Sequence, residues 1–196
     1  MAHPVTLAVE GSTDIPVAQR LLALVGLEVG PIHQKGGKAG LDARLTSYNR
    51  AAAFSSWLVL RDLDHDALCA GALVAQLLPR PAKGMCLRIA VRETEAWLLA
   101  DRDRIAQYLS VSAALIPIDP DALDDAKQTL VNLARRSRYA TMRTGIVPSP
   151  GTTASVGPGY WGHVAEYATR FWRPTVAARN SPSLARCIKA LRRLKG

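Results

Sequence analysis

Cysteines, long apolar runs and, in the last third of the chain, acidic residues are scarce in this sequence. The 196 residues include Cys69, Cys86 and Cys187, an odd number that lie far apart. We therefore expect reduced thiols in a cytoplasmic protein, not a disulfide framework or a zinc site. No apolar run approaches the roughly 20 residues that span a bilayer. No basic stretch followed by an apolar one marks a secretory signal, so we expect neither a membrane protein nor a secreted one.

Acidic residues are almost absent from residues 135–196, where Glu166 stands against 12 Lys and Arg, a balance of +11. Residues 1–134 carry 15 Asp and Glu against 13 Lys and Arg, a balance of −2. The acidic N-terminal part and the basic C-terminal part of the chain favour a cation site beside a surface that binds polyanions such as nucleic acid. The alternative is a basic segment that only keeps the chain soluble.

Short apolar runs alternate with helical spacing in the first half of the chain. Strands are predicted at residues 5–9 and 27–33, in the run that begins at Trp57 and leads into the following aspartates, and at 85–91. Helices are predicted at about 14–25, 41–53, 67–78 and 96–101. Because the apolar runs do not alternate with polar residues, they are typical of strands buried on both faces. The pattern predicts an α/β fold with a mostly parallel, four-stranded sheet flanked by helices.

The second half of the chain predicts helices at about 121–136 and 160–172 and a last helix after Ser181-Pro182. Residues 145–159 are rich in Pro, Gly, Ser and Thr and predict a linker or a mobile loop. We therefore divide the chain into an α/β core at residues 1–110 and a helical, basic C-terminal extension at residues 111–196, packed on that core.

Three aspartates at alternate positions, Asp62, Asp64 and Asp66, follow the third apolar run. Side chains two apart on an extended segment share a face, so Asp62 and Asp64 are expected to lie together. Two carboxylates held close repel each other unless a cation lies between them, and Mg²⁺ accepts such oxygens. One aspartate would be enough to cap the next helix, which is the alternative. We predict a metal site here.

Other polar residues follow the remaining strands: Glu10, the basic loop Lys35–Gly40, and the pair Glu93 and Glu95. In a parallel sheet with helical crossovers, every strand-to-helix loop emerges at the same edge. These residues are therefore expected to meet Asp62 and Asp64. The glycine loop could bind a phosphate, but it lacks the full P-loop spacing, and we favour a plain solvent loop.

Glu10-Gly11 and Asp62-Leu63-Asp64 resemble, in order and spacing, the acidic motifs of the TOPRIM domain, the metal-binding module of topoisomerases, primases and several nucleases. Asp14 resembles the second acid of the OLD (overcoming lysogenization defect) nucleases. Residues 92–101 and 180–184 look like a small bacterial TOPRIM-related family of unknown function, close to RloB-type proteins. The likeness covers most of the chain, although only its acidic motifs carry chemical meaning.

The resemblance implies a Mg²⁺-dependent nuclease, with Mn²⁺ as the alternative ion, acting on DNA or RNA in phage defence or DNA repair. Two metals about 3.5–4 Å apart would stabilise the attacking and leaving oxygens. Asp62 and Asp64 would hold the ions, Glu10 would bridge them or act as general acid and base, and Asp14 and Glu95 would complete the shell. No topoisomerase tyrosine and no P-loop is found, so an ATPase would be a separate subunit.

Three further residues complete the predicted site. Glu95 begins a helix, where free N–H groups favour a carboxylate, and it matches the Glu-x-Trp of RloB-type proteins, so we predict it to be a metal ligand. Glu93 is expected to support it from the outer shell. Lys127 would neutralise charge on the transition state, as a basic residue does in OLD-type nucleases.

Two other functions compete with the nuclease. The first is a non-catalytic subunit whose acidic site binds an ion structurally while its basic half contacts nucleic acid or a protein. The second is a phosphatase of the haloacid dehalogenase type, which also places Asp-x-Asp after an apolar strand. That family has Thr or Val where this chain has Asp66, and it places the motif on its first strand, so we rank it last.

Overall fold

The computed structural model describes residues 4–195, and within them one sheet of four parallel strands lies between layers of helices. The strand order is β2-β1-β3-β4. The strands are β1 (Val5–Val9), β2 (Val29–Gln34), β3 (Trp57–Asp62) and β4 (Met85–Ala90). The predicted fold class is confirmed, and the sheet is parallel throughout.

The two central strands are the most deeply buried part of the sheet. Val5, Leu7, Leu58 and Val59 have no exposed surface, as their apolar runs without polar alternation predict. The outer strand β2 has only exposed and half-buried residues. The register pairs Val9 with Leu60 and Asp62 with Ala90, so the carboxyl ends of β1, β3 and β4 lie next to each other.

Helices connect the strands and form the C-terminal extension. They are α1 (Asp14–Leu24), α2 (Lys38–Asp42), α3 (Leu45–Ala51), α4 (Ala70–Leu77), α5 (Thr94–Leu99), α6 (Arg102–Leu109), α7 (Ala126–Arg135), α8 (Ala140–Ile146), α9 (Tyr160–Glu166), α10 (Pro174–Ala177) and α11 (Pro182–Lys195). Short 3₁₀ turns cover Ala113–Leu115 and Pro120–Ala122, and a π-helical turn covers Tyr167–Phe171. None of the helices in residues 4–195 is long and apolar enough to cross a membrane.

Three predicted helices differ from those observed. The helix expected at 41–53 is two short ones, and Asp42 at the end of the first is ion-paired with Arg61 of β3. The helix expected from residue 121 begins only at Ala126, where the Asp125 side chain accepts a hydrogen bond from the N–H of Gln128. The helix expected at 160–172 changes from α to π after Glu166.

Two buried clusters cover the two faces of the sheet. The larger one joins β1, one face of β4 and α1 to the C-terminal helices, and the smaller one lies under α3 and α4. Trp97 is fully buried in the larger cluster, and its Nε1 donates a hydrogen bond to Ser183 Oγ at 2.6 Å. The backbone carbonyl of Trp97 accepts a hydrogen bond from Trp172 Nε1 at 3.1 Å. The C-terminal helices therefore share the main core with the α/β part of the chain.

The segment predicted to be a linker or a mobile loop closes on itself. Gly157 and Gly159 donate their N–H groups to the carbonyls of Ile146 and Gly145, both at 2.8 Å. A Cβ on Gly157 would lie 2.5 Å from the Gly145 oxygen, so the close approach requires glycine. Its first residues, Gly145 and Ile146, belong to α8. The three cysteines are free, as expected from the sequence.

Candidate metal centre

The ends of β1, β3 and β4 are joined by hydrogen bonds to carboxylates. Glu10 directly follows β1, and its Oε1 accepts a hydrogen bond from the backbone N–H of Asp62 at 2.9 Å. Asp62 is the last residue of β3, and its Oδ1 accepts from the backbone N–H of Thr94 at 3.0 Å. Three separate segments of the chain thus place carboxylates at one edge of the sheet, as the parallel topology predicts.

A second row of carboxylates meets at the side chain of Thr94. The Thr94 hydroxyl donates to Asp14 Oδ1 at 2.7 Å and lies 3.4 Å from Glu95 Oε2. The other oxygen of Asp14 accepts from the N–H of Gly11 at 2.9 Å. Since a hydroxyl has one proton, Thr94 can donate to only one carboxylate at a time. The motif analysis did not select Thr94, because its role depends on a residue 80 positions away.

Helices of the C-terminal extension supply the remaining contacts. Tyr160, at the start of α9, donates its O–H to Glu95 Oε1 at 2.8 Å. Lys127 Nζ lies 3.5 Å from Glu93 Oε1 and 3.8 Å from Glu95 Oε1. The backbone N–H of Lys127 donates to the other oxygen of Glu93 at 2.8 Å, so Glu93 also fixes the first turn of α7. Tyr160 is a second residue that the sequence patterns missed.

We call these residues the carboxylate cluster: Glu10, Asp14, Asp62, Glu93 and Glu95. The only positively charged groups close to it among the described residues are Lys127 and, 4.0 Å from Glu10 Oε1, Arg61 Nε. Arg61 is itself shared with Asp42 and Asp66. The cluster therefore carries more negative charge than its neighbours compensate.

The pKa values of the cluster reflect this excess. Burial raises the pKa of Asp62 well above its usual value, and the charges of Asp14, Glu95, Glu10 and Glu93 raise it further. Burial also raises the pKa values of Asp14 and Glu93, and that of Glu10 to about 7. Burial lowers the pKa of Lys127, but the surrounding carboxylates outweigh this and raise it overall.

Asp64 lies outside this cluster. The prediction that it shares a face with Asp62 is wrong, because β3 ends at Asp62 and Asp64 has a left-handed backbone with a φ of 47°. Its Oδ2 accepts from Lys38 Nζ at 2.9 Å, and Asp66 accepts from the same ammonium at 2.8 Å. Lys38, from the predicted glycine loop, therefore neutralises aspartates. Metal binding by the second oxygen of Asp64 stays a prediction.

The donor set suits an open magnesium site, not a closed cage. The His, Cys, Asp and Glu side chains of residues 4–195 form no group of three or more that could hold a metal ion. Magnesium, however, usually takes one or two protein carboxylates and completes its shell with water and substrate phosphate. Glu10 Oε2 and Asp62 Oδ2 accept no hydrogen bond from another described residue, which leaves two free hard oxygens at adjacent strand ends.

A cavity of about 440 Å³ lies beside the cluster, with Glu93 in its wall together with Asp64 and Arg92. The cavity therefore borders the carboxylate cluster at Glu93, and Glu10 and Asp62 do not line it. Comparison of the chain with models of protein families, with curated proteins and with solved structures gave no match.

Proposed function

We propose that this protein is a Mg²⁺-dependent nuclease that cleaves phosphodiester bonds of nucleic acid at the carboxylate cluster. The observation that carries the proposal is the excess of buried negative charge at the ends of β1, β3 and β4. Five carboxylates meet there, and within residues 4–195 Lys127 is the one basic residue with ion-pair contacts to two of them. Such an excess is relieved by binding protons or cations, and a divalent cation neutralises two charges at once.

Two free oxygens support a cation at the ends of β1 and β3. Glu10 Oε2 and Asp62 Oδ2 belong to residues that are already fixed by the hydrogen bonds to the Asp62 and Thr94 amides. Mg²⁺ held there would polarise a phosphate oxygen and lower the pKa of a bound water. A phosphodiester is a hard anionic ligand that fills the open coordination positions. The net charge of +11 in residues 135–196 would attract a polyanion such as nucleic acid.

The protein side chains have distinct roles in this proposal. Burial raises the pKa of Glu10 to about 7 in the absence of metal, so a bound cation would displace its proton and hold the carboxylate through Oε2. Asp14 accepts a hydrogen bond from Thr94 and Glu95 accepts one from Tyr160, and these bonds fix the two carboxyl groups beside the proposed ion. Lys127 remains protonated, because its carboxylate neighbours raise its pKa, and it provides a fixed positive charge for the transition state.

The experiment is a cleavage assay with purified protein. Labelled plasmid, single-stranded DNA and RNA are incubated with Mg²⁺ or Mn²⁺ and then with EDTA. We expect at least one substrate to be cleaved with metal and none with EDTA, and Asp62→Asn to abolish cleavage. Asp103→Asn is the matched control, since Asp103 is an exposed aspartate in the first turn of α6. Cleavage that survives EDTA or the Asp62→Asn substitution would contradict the proposal.

The net charge of +11 in residues 135–196 also suits one other function, a non-catalytic subunit that binds an ion structurally and contacts nucleic acid or a protein. Wild-type protein that binds Mg²⁺ but cleaves none of the three substrates would support it. Phage defence or DNA repair, a separate ATPase subunit and a cytoplasmic location stay predictions of the sequence.

A further inference from the structure

The outer edge of β4 is free of a neighbouring strand. β4 is the last strand of the sheet, and among the described residues β3 alone pairs with it. Its two faces are covered: Cys86 and Ala90 belong to the core under α11, and Leu87 and Ile89 to the core under α4. The edge therefore lies at the bottom of a groove between these two helices.

The hydrogen-bond register shows which backbone groups face this groove. The N–H of Trp57 donates to the Gly84 carbonyl and that of Leu63 to the Ala90 carbonyl, both at 2.8 Å. A parallel ladder uses every second residue of a strand, so the even-numbered residues of β4 face β3. The N–H and C=O groups of Leu87 and Ile89 face outwards, although these residues are only 6% and 3% exposed. Among the described residues, none bonds to these outward groups, so they are free to pair with an added strand.

The groove is apolar at its base and basic along its sides. It consists of two adjoining cavities of about 800 and about 270 Å³, which share Val74 and Arg88. Arg186 lines the first and Arg193 the second, both from α11. No carboxylate among residues 4–195 lies within ion-pair distance of these three arginines. In addition, Arg88 Nε is buried without a hydrogen-bond partner.

We propose that the free edge of β4 binds an extended, acidic segment of another protein chain, which adds to the sheet as a fifth strand. An extended peptide supplies the alternating C=O and N–H groups that Leu87 and Ile89 lack. Its carboxylates pair with Arg88, Arg186 and Arg193, which have no acid of their own. This inference goes beyond the proposed nuclease activity and does not depend on it.

Other occupants fit the groove less well. A second copy of this chain paired edge to edge would bring its own Arg88, Arg186 and Arg193 against the same residues, and like charges repel. A nucleic acid strand offers phosphates but no regular series of N–H donors for the free carbonyls of β4. Two acids also line the groove, Asp119 and Asp121. Asp121 already accepts hydrogen bonds from Ser181 Oγ and the Ser183 N–H at 2.6 and 2.9 Å.

The first test needs no ligand. Hydrogen exchange of the free protein is followed residue by residue by NMR at two protein concentrations. We expect the amides of Leu87 and Ile89 to exchange about 100-fold faster than those of Arg88 and Ala90, which are bonded to β3. Equal protection at both concentrations would overturn the proposal, because the edge would already be covered. Protection that increases with concentration would assign the edge to a second copy.

The second test uses a blocked, fluorescein-labelled peptide of seven residues that alternates valine and glutamate, with EDTA present. We expect saturable binding that slows exchange of the Leu87 and Ile89 amides. The double substitution Arg186→Gln and Arg193→Gln should weaken binding about 10-fold, since both arginines are exposed and form rim ion pairs. Arg135→Gln with Arg136→Gln, an exposed pair at the end of α7, is the matched control and should leave binding unchanged.

A peptide N-methylated at alternate amides separates strand addition from charge attraction. We expect it not to bind, because it cannot form the backbone ladder. Equal binding of both peptides, or no saturable binding of the unmodified one, would overturn the proposal. Equal protection of Leu87 and Ile89 by a single-stranded oligonucleotide would assign the groove to nucleic acid instead.

Discussion

Two groups of carboxylates lie side by side at the carboxyl edge of the sheet, and they differ in how their charge is balanced. The carboxylate cluster has Lys127 and one 4.0 Å contact from Arg61 against five acids. The neighbouring group, Asp42, Asp64 and Asp66, is held by Arg61 and Lys38 through four contacts of 2.7 to 3.0 Å. We call this second group the salt-bridged loop.

The pKa shifts of Asp62 and Asp66 have opposite signs. Hydrogen bonds from Lys38 and Arg61 lower the pKa of Asp66, whereas burial raises the pKa of Asp62, four residues earlier. Both aspartates belong to the same alternating motif. This difference between Asp62 and Asp66 shows that the alternating aspartate motif alone does not identify a metal site. The decisive property is whether a basic side chain from elsewhere in the fold reaches each carboxylate.

The largest expected effect is on the rate of cleavage, and it distinguishes Asp62 from Asp64. We expect Asp62→Asn to reduce metal-dependent cleavage by more than the roughly 100-fold that an outer-shell substitution costs. Asp64→Asn should reduce cleavage by less than about 10-fold, since the carboxylate of Asp64 is neutralised by Lys38. Single-turnover cleavage rates measure both effects. Equal losses from the two substitutions would place Asp64 in the site as well.

The next effect separates Glu93 from Glu95 within the carboxylate cluster. Glu95 is 1% exposed and bonded to Tyr160, so we expect Glu95→Gln to remove activity almost wholly. Glu93 accepts a hydrogen bond from the backbone amide of Lys127 and forms an ion pair with the Lys127 ammonium. Glu93→Gln should therefore reduce the cleavage rate by about 10–100-fold.

Because Glu93 is expected to act through Lys127, Lys127→Met in the Glu93→Gln background should add little to the loss. Rates of the two single variants and the double variant test this by a double-mutant cycle. Independent, additive losses would show that Glu93 has a role of its own.

A smaller effect is expected on the stability of the metal-free protein. Burial raises the pKa of Glu10 to about 7 in the folded state, against 4.5 for an ordinary glutamate side chain. Between these values the folded state holds more protons than the unfolded state, so the free energy of unfolding falls as pH rises. Each such group contributes at most about 1.4 kcal/mol per pH unit.

Urea denaturation in EDTA from pH 4.5 to 8 measures this slope. Asp62→Asn should make it shallower, because it removes one of the coupled carboxylates, while Asp103→Asn should leave it unchanged. A stability that rises across this interval in the wild type would show that the cluster is already compensated.

The smallest effect is expected in the salt-bridged loop. Lys38→Met removes two half-exposed ion pairs, so it should lower the free energy of unfolding at pH 7 by about 0.2–1 kcal/mol. The pKa of Asp66 is lowered, so its contribution is present above its unfolded pKa and is lost as pH falls through the folded value. The wild type and Lys38→Met should therefore converge in stability at acid pH, which the same urea titrations can follow.

Much of the fold follows from local patterns in the sequence. β1 was predicted at residues 5–9 and is observed at Val5–Val9, because buried strands of a parallel sheet require unbroken apolar runs. The meeting of Glu10, Asp62 and Glu93 at one edge followed from the right-handed parallel topology. These inferences depend on periodicity and on the order of the elements, which a single sequence displays.

The contacts that decide the site were not predictable in the same way. Thr94 and Tyr160 act on carboxylates 80 and 65 positions away, and no local pattern distinguishes them from ordinary helix residues. Asp64 departs from the strand because its backbone turns at a positive φ and Lys38, 26 positions earlier, takes its carboxylate. Such pairings depend on tertiary packing, not on spacing.

The central claim is that the uncompensated carboxylate cluster, and not the salt-bridged loop, binds a divalent cation. The most direct measurement is isothermal titration calorimetry of metal-free protein with Mg²⁺ at pH 7.5, for wild type, Asp62→Asn and Asp64→Asn. We predict saturable binding to the wild type and to Asp64→Asn, and binding weakened by at least about 10-fold in Asp62→Asn. The absence of binding to the wild type, or a loss in Asp64→Asn as large as that in Asp62→Asn, would contradict the account.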